Sequence, residues 1–207
     1  NLSTMRSSAQ QAIFASPAFM KIRQRSCQEA LDALAKENIK SIVVDVRNTS
    51  EGMMEYAAKV IDLFVPLATE GNKAIALAVN KKGDTVETFT SDAKDYAGQI
   101  CVLVNRNTQG PAELFACDLR DFDKAQLIGE ITKGNGKRQQ VFNLSDGGAI
   151  VLTTASILPY KSESFDGVGV APDVEVALTQ EQLEQLEILP HDQDAQLQKA
   201  LEMLSGV

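Results

Sequence analysis

The sequence predicts a layered α/β domain with a largely parallel central sheet and flanking helices. Three observations lead to it. Short apolar runs recur at 39–46, 100–104 and 125–129, the first two with the β-branched content of strands buried on both faces. A polar loop follows each run. Stretches with apolar residues at helical spacing then intervene. Repeated strand, loop and helix units favour parallel pairing through crossover connections.

The elements follow in order. Residues 18–23 alternate as a short strand. Ser26 is placed to cap a helix whose stripe is Cys27, Ala30, Leu31 and Leu34. The run 39–46 is a core strand, followed by a loop at 47–52. A helix from about 53 to 64 turns Met54, Ala57, Ala58, Ile61 and Phe64 inward. Segments 73–80 and 85–90 flank Lys81-Lys82-Gly83-Asp84 as a hairpin. The strand 100–104 leads through the loop 105–110 to a helix with Pro111 in its first turn. That helix turns Ala112, Phe115, Leu119 and Phe122 inward. The third core strand is 125–129. Segments 139–144 and 149–155 form a second hairpin around Ser145-Asp146-Gly147-Gly148. Thr179-Gln180-Glu181-Gln182 reads as a capping box, with Leu183, Leu186 and Leu189 after it. Leu197, Leu201 and Leu204 stripe a last helix. The expected organisation is a core over 1–178 and a helical extension over 179–207. Ligands in such folds gather beyond the carboxyl ends of the strands, which singles out the loops 47–52, 105–111 and 130–137.

The 207 residues are 44% hydrophobic and 23% charged, within the range of folded soluble domains. No apolar run reaches the roughly eighteen residues that a membrane helix needs. The net charge of −8, without a basic cluster, argues against nucleic acid and anionic membranes as partners. Cys27, Cys101 and Cys117 fit no metal motif and fall on buried elements, so no metal and no cofactor is expected. The single histidine, His191, lies in a polar turn, which argues against a Ser-His-Asp site. The chain starts at Asn1, as a fragment or a processed form would.

Several motifs carry a family resemblance. They are Ile42-Val43-Val44-Asp45-Val46-Arg47-Asn48, Val102-Leu103-Val104-Asn105-Arg106 with Ala112-Glu113-Leu114-Phe115-Ala116, and the loop from Glu130 through Gly136 with Gln139-Gln140. Leu144-Ser145-Asp146-Gly147-Gly148-Ala149 and Leu152-Thr153-Thr154-Ala155 follow, then Asp166-Gly167-Val168-Gly169-Val170-Ala171-Pro172-Asp173. In this order, over roughly 19–176, the chain resembles the core of C-terminal processing peptidases, the tail-specific serine proteases. The resemblance implies a crotonase/ClpP-like core. It also implies a Ser-Lys dyad with a glutamine, acting by acyl transfer on unfolded peptide or protein C-terminal tails. The PDZ module that usually precedes such a core is not visible. A bacterial, extracytoplasmic location and self-assembly are further expectations from the family.

Carried over residue by residue, the resemblance puts Gly110 at the nucleophile position and Asn135 at the lysine position. Gln139 retains the third member. Glycine has no side chain, and an amide is not a general base. The next residue supplies an oxyanion-hole N–H in the family, and here it is Pro111, which has none. The first oxyanion loop is Thr49-Ser50-Glu51-Gly52, where Gly52 remains but Glu51 adds a carboxylate that would oppose an oxyanion. These departures predict an inactive homologue that keeps a peptide cleft, binding a tail or a partner peptidase. A displaced dyad of Thr108 with Lys133 or Lys137 is the alternative. Against it, Thr108 reads as a helix cap and the lysines as solvated charges. An acyl-ligand-binding protein of crotonase type is a third reading, by fold analogy alone.

Overall fold

The computed structural model describes residues 3–8, 11–15, 24–66, 74–91 and 96–206. The chain runs β1 (Ser3–Ser8), β2 (Gln11–Ala15), α1 (Gln24–Lys36), β3 (Ser41–Asp45), α2 (Met54–Ile61), β4 (Ala74–Val79), β5 (Thr85–Thr90) and β6 (Gln99–Val104). It continues through α3 (Pro111–Asp121), β7 (Ala125–Gly129), β8 (Lys137–Asn143), β9 (Ala149–Leu158), β10 (Val174–Glu175), α4 (Gln180–Glu184), a 3-10 turn at His191–Gln193 and α5 (Ala195–Ser205).

The first sheet has the order β1-β2-β3-β6-β7-β10. From β2 onward its neighbours are parallel, and Val43 sits beside Cys101 and Val102 beside Leu127. The parallel pairing follows from sequence: β3 and β6 are apolar at successive positions, so both of their faces need cover. Ile42, Val44, Val102 and Leu127 point into one core with Leu31, Phe64, Phe115 and Leu119 from the helical segments. Phe64 meets Phe115 edge to face, with ring centroids 5.7 Å apart. The alternate residues Val43, Cys101, Leu103 and Ile128 meet Leu197, Ala200 and Leu204 of α5 on the other face. Each fully buried valine, leucine, isoleucine or phenylalanine among them contributes about 1.5–3 kcal/mol.

The second sheet is antiparallel, in the order β5-β4-β9-β8. Ala74, Ala76 and Ala78 of β4 and Ala155 and Ile157 of β9 are buried where it joins the core. Beyond that junction the β8–β9 hairpin projects, and residues 139–153 are all exposed.

Several expectations need correction. α1 has already begun at Gln24, so Ser26 lies inside it and does not cap it. The strand expected at 18–23 lies outside the described residues. β1 and β2 were not read from the sequence. The capping box at Thr179 is present, with Gln182 N–H donating to its hydroxyl at 3.2 Å.

Candidate functional site

β3, β6 and β7 are adjacent and parallel, so the loops that follow them emerge side by side. The loops are bonded to one another. Gln109 N–H donates to Thr49 C=O at 3.0 Å, and Lys133 N–H to Thr108 C=O at 3.0 Å. Asn48 N–H donates to Asn105 Oδ1 at 3.1 Å. The Thr108 hydroxyl is fully buried, donates to Val46 C=O at 3.0 Å and accepts from Asn105 N–H at 3.0 Å. Thr108 therefore ties two loops together and does not cap α3, contrary to the expectation.

Gly110 is the N-cap of α3, with φ 64° and ψ −120°. The chain turns here from the loop 105–110 into α3, an elbow whose positive φ favours glycine. A Cβ built on Gly110 would meet only the Asn135 carbonyl oxygen, at 3.9 Å. The elbow thus faces the loop that carries Asn135. Pro111 follows at the first helical position, where its missing N–H removes no helix bond.

One carboxylate holds these parts in place. Glu113 is fully buried. Its Oε2 accepts from Gly110 N–H at 2.8 Å and Asn135 N–H at 2.7 Å. Its Oε1 accepts from Gly134 N–H at 2.6 Å and from the Thr132 hydroxyl. Thr132 Oγ1 in turn accepts from Val170 N–H at 2.7 Å. A carboxylate with this many donors is well satisfied without a cation. The sequence carried half of this signal, an acid three residues after the N-cap. It carried no sign of Thr132.

The remaining expected residues lie further out. Gln139 is exposed on β8, across from Thr153. Lys133 is exposed and lines a cavity of about 310 Å³ with Asn48, Ser50, Asn107 and Gln109. Lys137 is exposed, 3.9 Å from Asp166. Gly52 has φ 133° and, like Glu51, is exposed. His191 is also exposed. The three cysteines are buried, which pushes the Cys27 and Cys117 thiols up to about 12 and Cys101 to about 11. At those values they are not nucleophiles near neutral pH. Among the described residues, no group of three or more His, Cys, Asp or Glu could hold a metal ion.

The first loop has a second anchor that sequence reasoning missed. Arg47 is buried and donates to Asp45 Oδ2 at 2.6 Å, Asp194 Oδ2 at 2.7 Å and Gln196 Oε1 at 3.0 Å. Burial alone would lower its pKa, but the charges and hydrogen bonds of Asp45 and Asp194 outweigh that and raise it. Asp194 also caps α5 by accepting from Leu197 N–H at 3.1 Å. The last helix is thereby tied to the loop at 47–52.

Comparison with known proteins agrees with this fold. The family model of peptidase family S41 matches residues 12–176. A carboxyl-terminal-processing protease of Synechocystis is 31% identical over 178 residues, covering 86% of this chain and 40% of that protein. A chloroplastic carboxyl-terminal-processing peptidase of Arabidopsis thaliana is 28% identical over 160 residues, covering 76% of this chain and 30% of that protein. The chain thus spans less than half the length of these relatives. They include plant as well as bacterial proteins, so the family does not by itself imply a bacterial source. Among solved structures, a photosystem II D1 C-terminal processing protease superposes with a TM-score of 0.68 at 25% identity, covering 85% of this chain and 46% of that one. An S41 protease described as putative, from Bacteroides fragilis, superposes with a TM-score of 0.75 over 100% of this chain and 57% of its own; at 17% identity it bears on the fold alone. No helix among the described residues is long and apolar enough to cross a membrane. Family match and parallel sheet agree, and the chain belongs to peptidase family S41, with the C-terminal processing proteases.

Proposed function

We propose that this chain keeps the S41 scaffold for binding unstructured peptide and does not cut it. The conformation of Gly110 carries this reading. The elbow is formed and faces Asn135, yet the residue on it has no side chain to attack with. Pro111 withholds the backbone donor that would stabilise an oxyanion from the next position. The frame is retained, because Glu113 and the bonds between the loops hold it without any catalytic group. A kept frame with open loop ends suits an extended peptide, bound as a tail or as part of a partner.

The displaced pair finds less support. Thr108 spends its hydroxyl on Val46 inside the loop junction, and its side chain is buried. Lys133 and Lys137 are exposed, so neither is desolvated as a neutral catalytic lysine must be. Nothing beyond fold analogy favours an acyl ligand.

The test pairs two assays. A fluorescent unstructured peptide is expected to bind saturably by anisotropy, while a fluorophosphonate probe leaves the chain unlabelled. Labelling that maps to Thr108 would replace this proposal with the displaced pair. Absence of any peptide binding would remove the retained cleft.

A further inference from the structure

Among the described residues, six of the twelve exposed large apolar side chains lie on the β8–β9 hairpin. Val141, Phe142, Leu144, Ile150, Val151 and Leu152 are all exposed on it, Val141 at 66%. A two-stranded ribbon with apolar side chains on both faces is marginal alone and marks a contact surface. β8 is also the edge of its sheet, so one side of its backbone has no strand beside it among the described residues.

The turn shows which groups face outward. Leu144 N–H donates to Gly148 C=O at 2.8 Å, and Gly147 N–H to Leu144 C=O at 3.1 Å. Gly147 has φ 87°, the left-handed residue of a three-residue hairpin loop. Antiparallel bonds alternate from that point. Gln140 and Phe142 therefore bond to β9, while Gln139, Val141 and Asn143 turn their N–H and C=O groups to the open edge.

We propose that this edge pairs, antiparallel and centred on Val141, with the same edge of a second copy of the chain. Two features select this occupant. The first is self-complementarity. A two-fold axis at Val141 sets it against its own copy and sets Gln139 against Asn143, amide to amide. Val141 pairs with Val151 across the hairpin, so four valines line up across the axis on one face. The pairing also closes about six backbone hydrogen bonds.

The second feature is charge. Between 137 and 158 the charged residues are Lys137 and Arg138 at the root of the hairpin and Asp146 at its tip. Antiparallel pairing sets root against tip, so Lys137 of each copy lies one position from direct opposition to Asp146 of the other. Arg138 is already held by Glu55 at 3.2 Å and Glu87 at 2.5 Å. Lys137 is free to turn, since its contact with Asp166 is long and its side chain is half-exposed. The contact is isologous and uses up both edges, so assembly stops at two copies.

Sedimentation equilibrium on the 207-residue chain tests the proposal. The native chain is expected at twice its own mass. Val141→Lys, which sets two ammonium groups at the axis, is expected at the monomer mass with an unchanged thermal melt. Lys137→Glu and Asp146→Lys should each weaken the dimer several-fold, and combining them should restore it. A native chain that stays monomeric, its hairpin left to another protein or segment, overturns the proposal. So does a dimer that none of these substitutions weakens, because its contact lies elsewhere.

Discussion

At Gly110 the backbone holds a positive φ that side-chain-bearing residues adopt only with strain. Gly110→Ser should therefore cost about 1–3 kcal/mol in urea denaturation, although the nearest atom leaves room for the new side chain. Glu113 is more exacting. Glu113→Ala strands the N–H groups of Gly110, Gly134 and Asn135 together, and should lose at least about 3 kcal/mol. A loss below about 1 kcal/mol would show that water satisfies those donors and that the latch is not structural.

Asp118 offers a pH test on the same helix. Burial raises its carboxyl well above the usual range; the Tyr160 N–H bond partly opposes this, and Asp121 adds to it. The folded chain thus keeps this proton to higher pH than the unfolded chain does. Its contribution is fully present below about pH 4 and is lost as pH rises through the folded value. Asp118→Asn removes that titration. Denaturation midpoints of the variant should fall less than those of the native chain from about pH 4 toward neutrality. Identical slopes would contradict the assignment.

Among the elements, α5 is both a layer of the core and an anchor for the site. Leu197, Ala200 and Leu204 cover the sheet, and Asp194 holds Arg47. Asp194→Ala removes two bonds from a buried guanidinium that keeps Asp45, together with the cap of α5, and should cost about 2–4 kcal/mol. Amide exchange should rise at 47–52 as well as in α5; a rise confined to α5 would argue against the coupling. The helix stripe was legible in the sequence, because Leu197, Leu201 and Leu204 recur at helical spacing. Its target was not, since a stripe does not say which surface it meets. Caps were the least legible feature. Ser26 and Thr108 are residue types that cap helices, but the backbone turn decides which position does so. At α3 that position is Gly110, a residue type that capping preference ranks behind serine.

For the whole molecule, the core strands, the loops beyond them and the family motifs were all readable from residue order. The buried runs at 39–46 and 100–104 demand a layer on each face, and the structure provides one on each. What sequence order could not show is contact between distant segments, such as Thr132 on Glu113 or Asp194 on Arg47. Those contacts hold together the loops that carry Gly110 and Asn135.

The central claim is that the frame persists without the chemistry. Hydrolysis of an unstructured protein such as casein tests it most directly, comparing the native chain with a Gly110→Ser/Pro111→Ala/Asn135→Lys variant. The account predicts a silent native chain. Any cutting gained by the variant would show that the elbow and the facing loop are still in register. Cutting by the native chain, abolished by Thr108→Ala, would contradict the account and place a working nucleophile at Thr108.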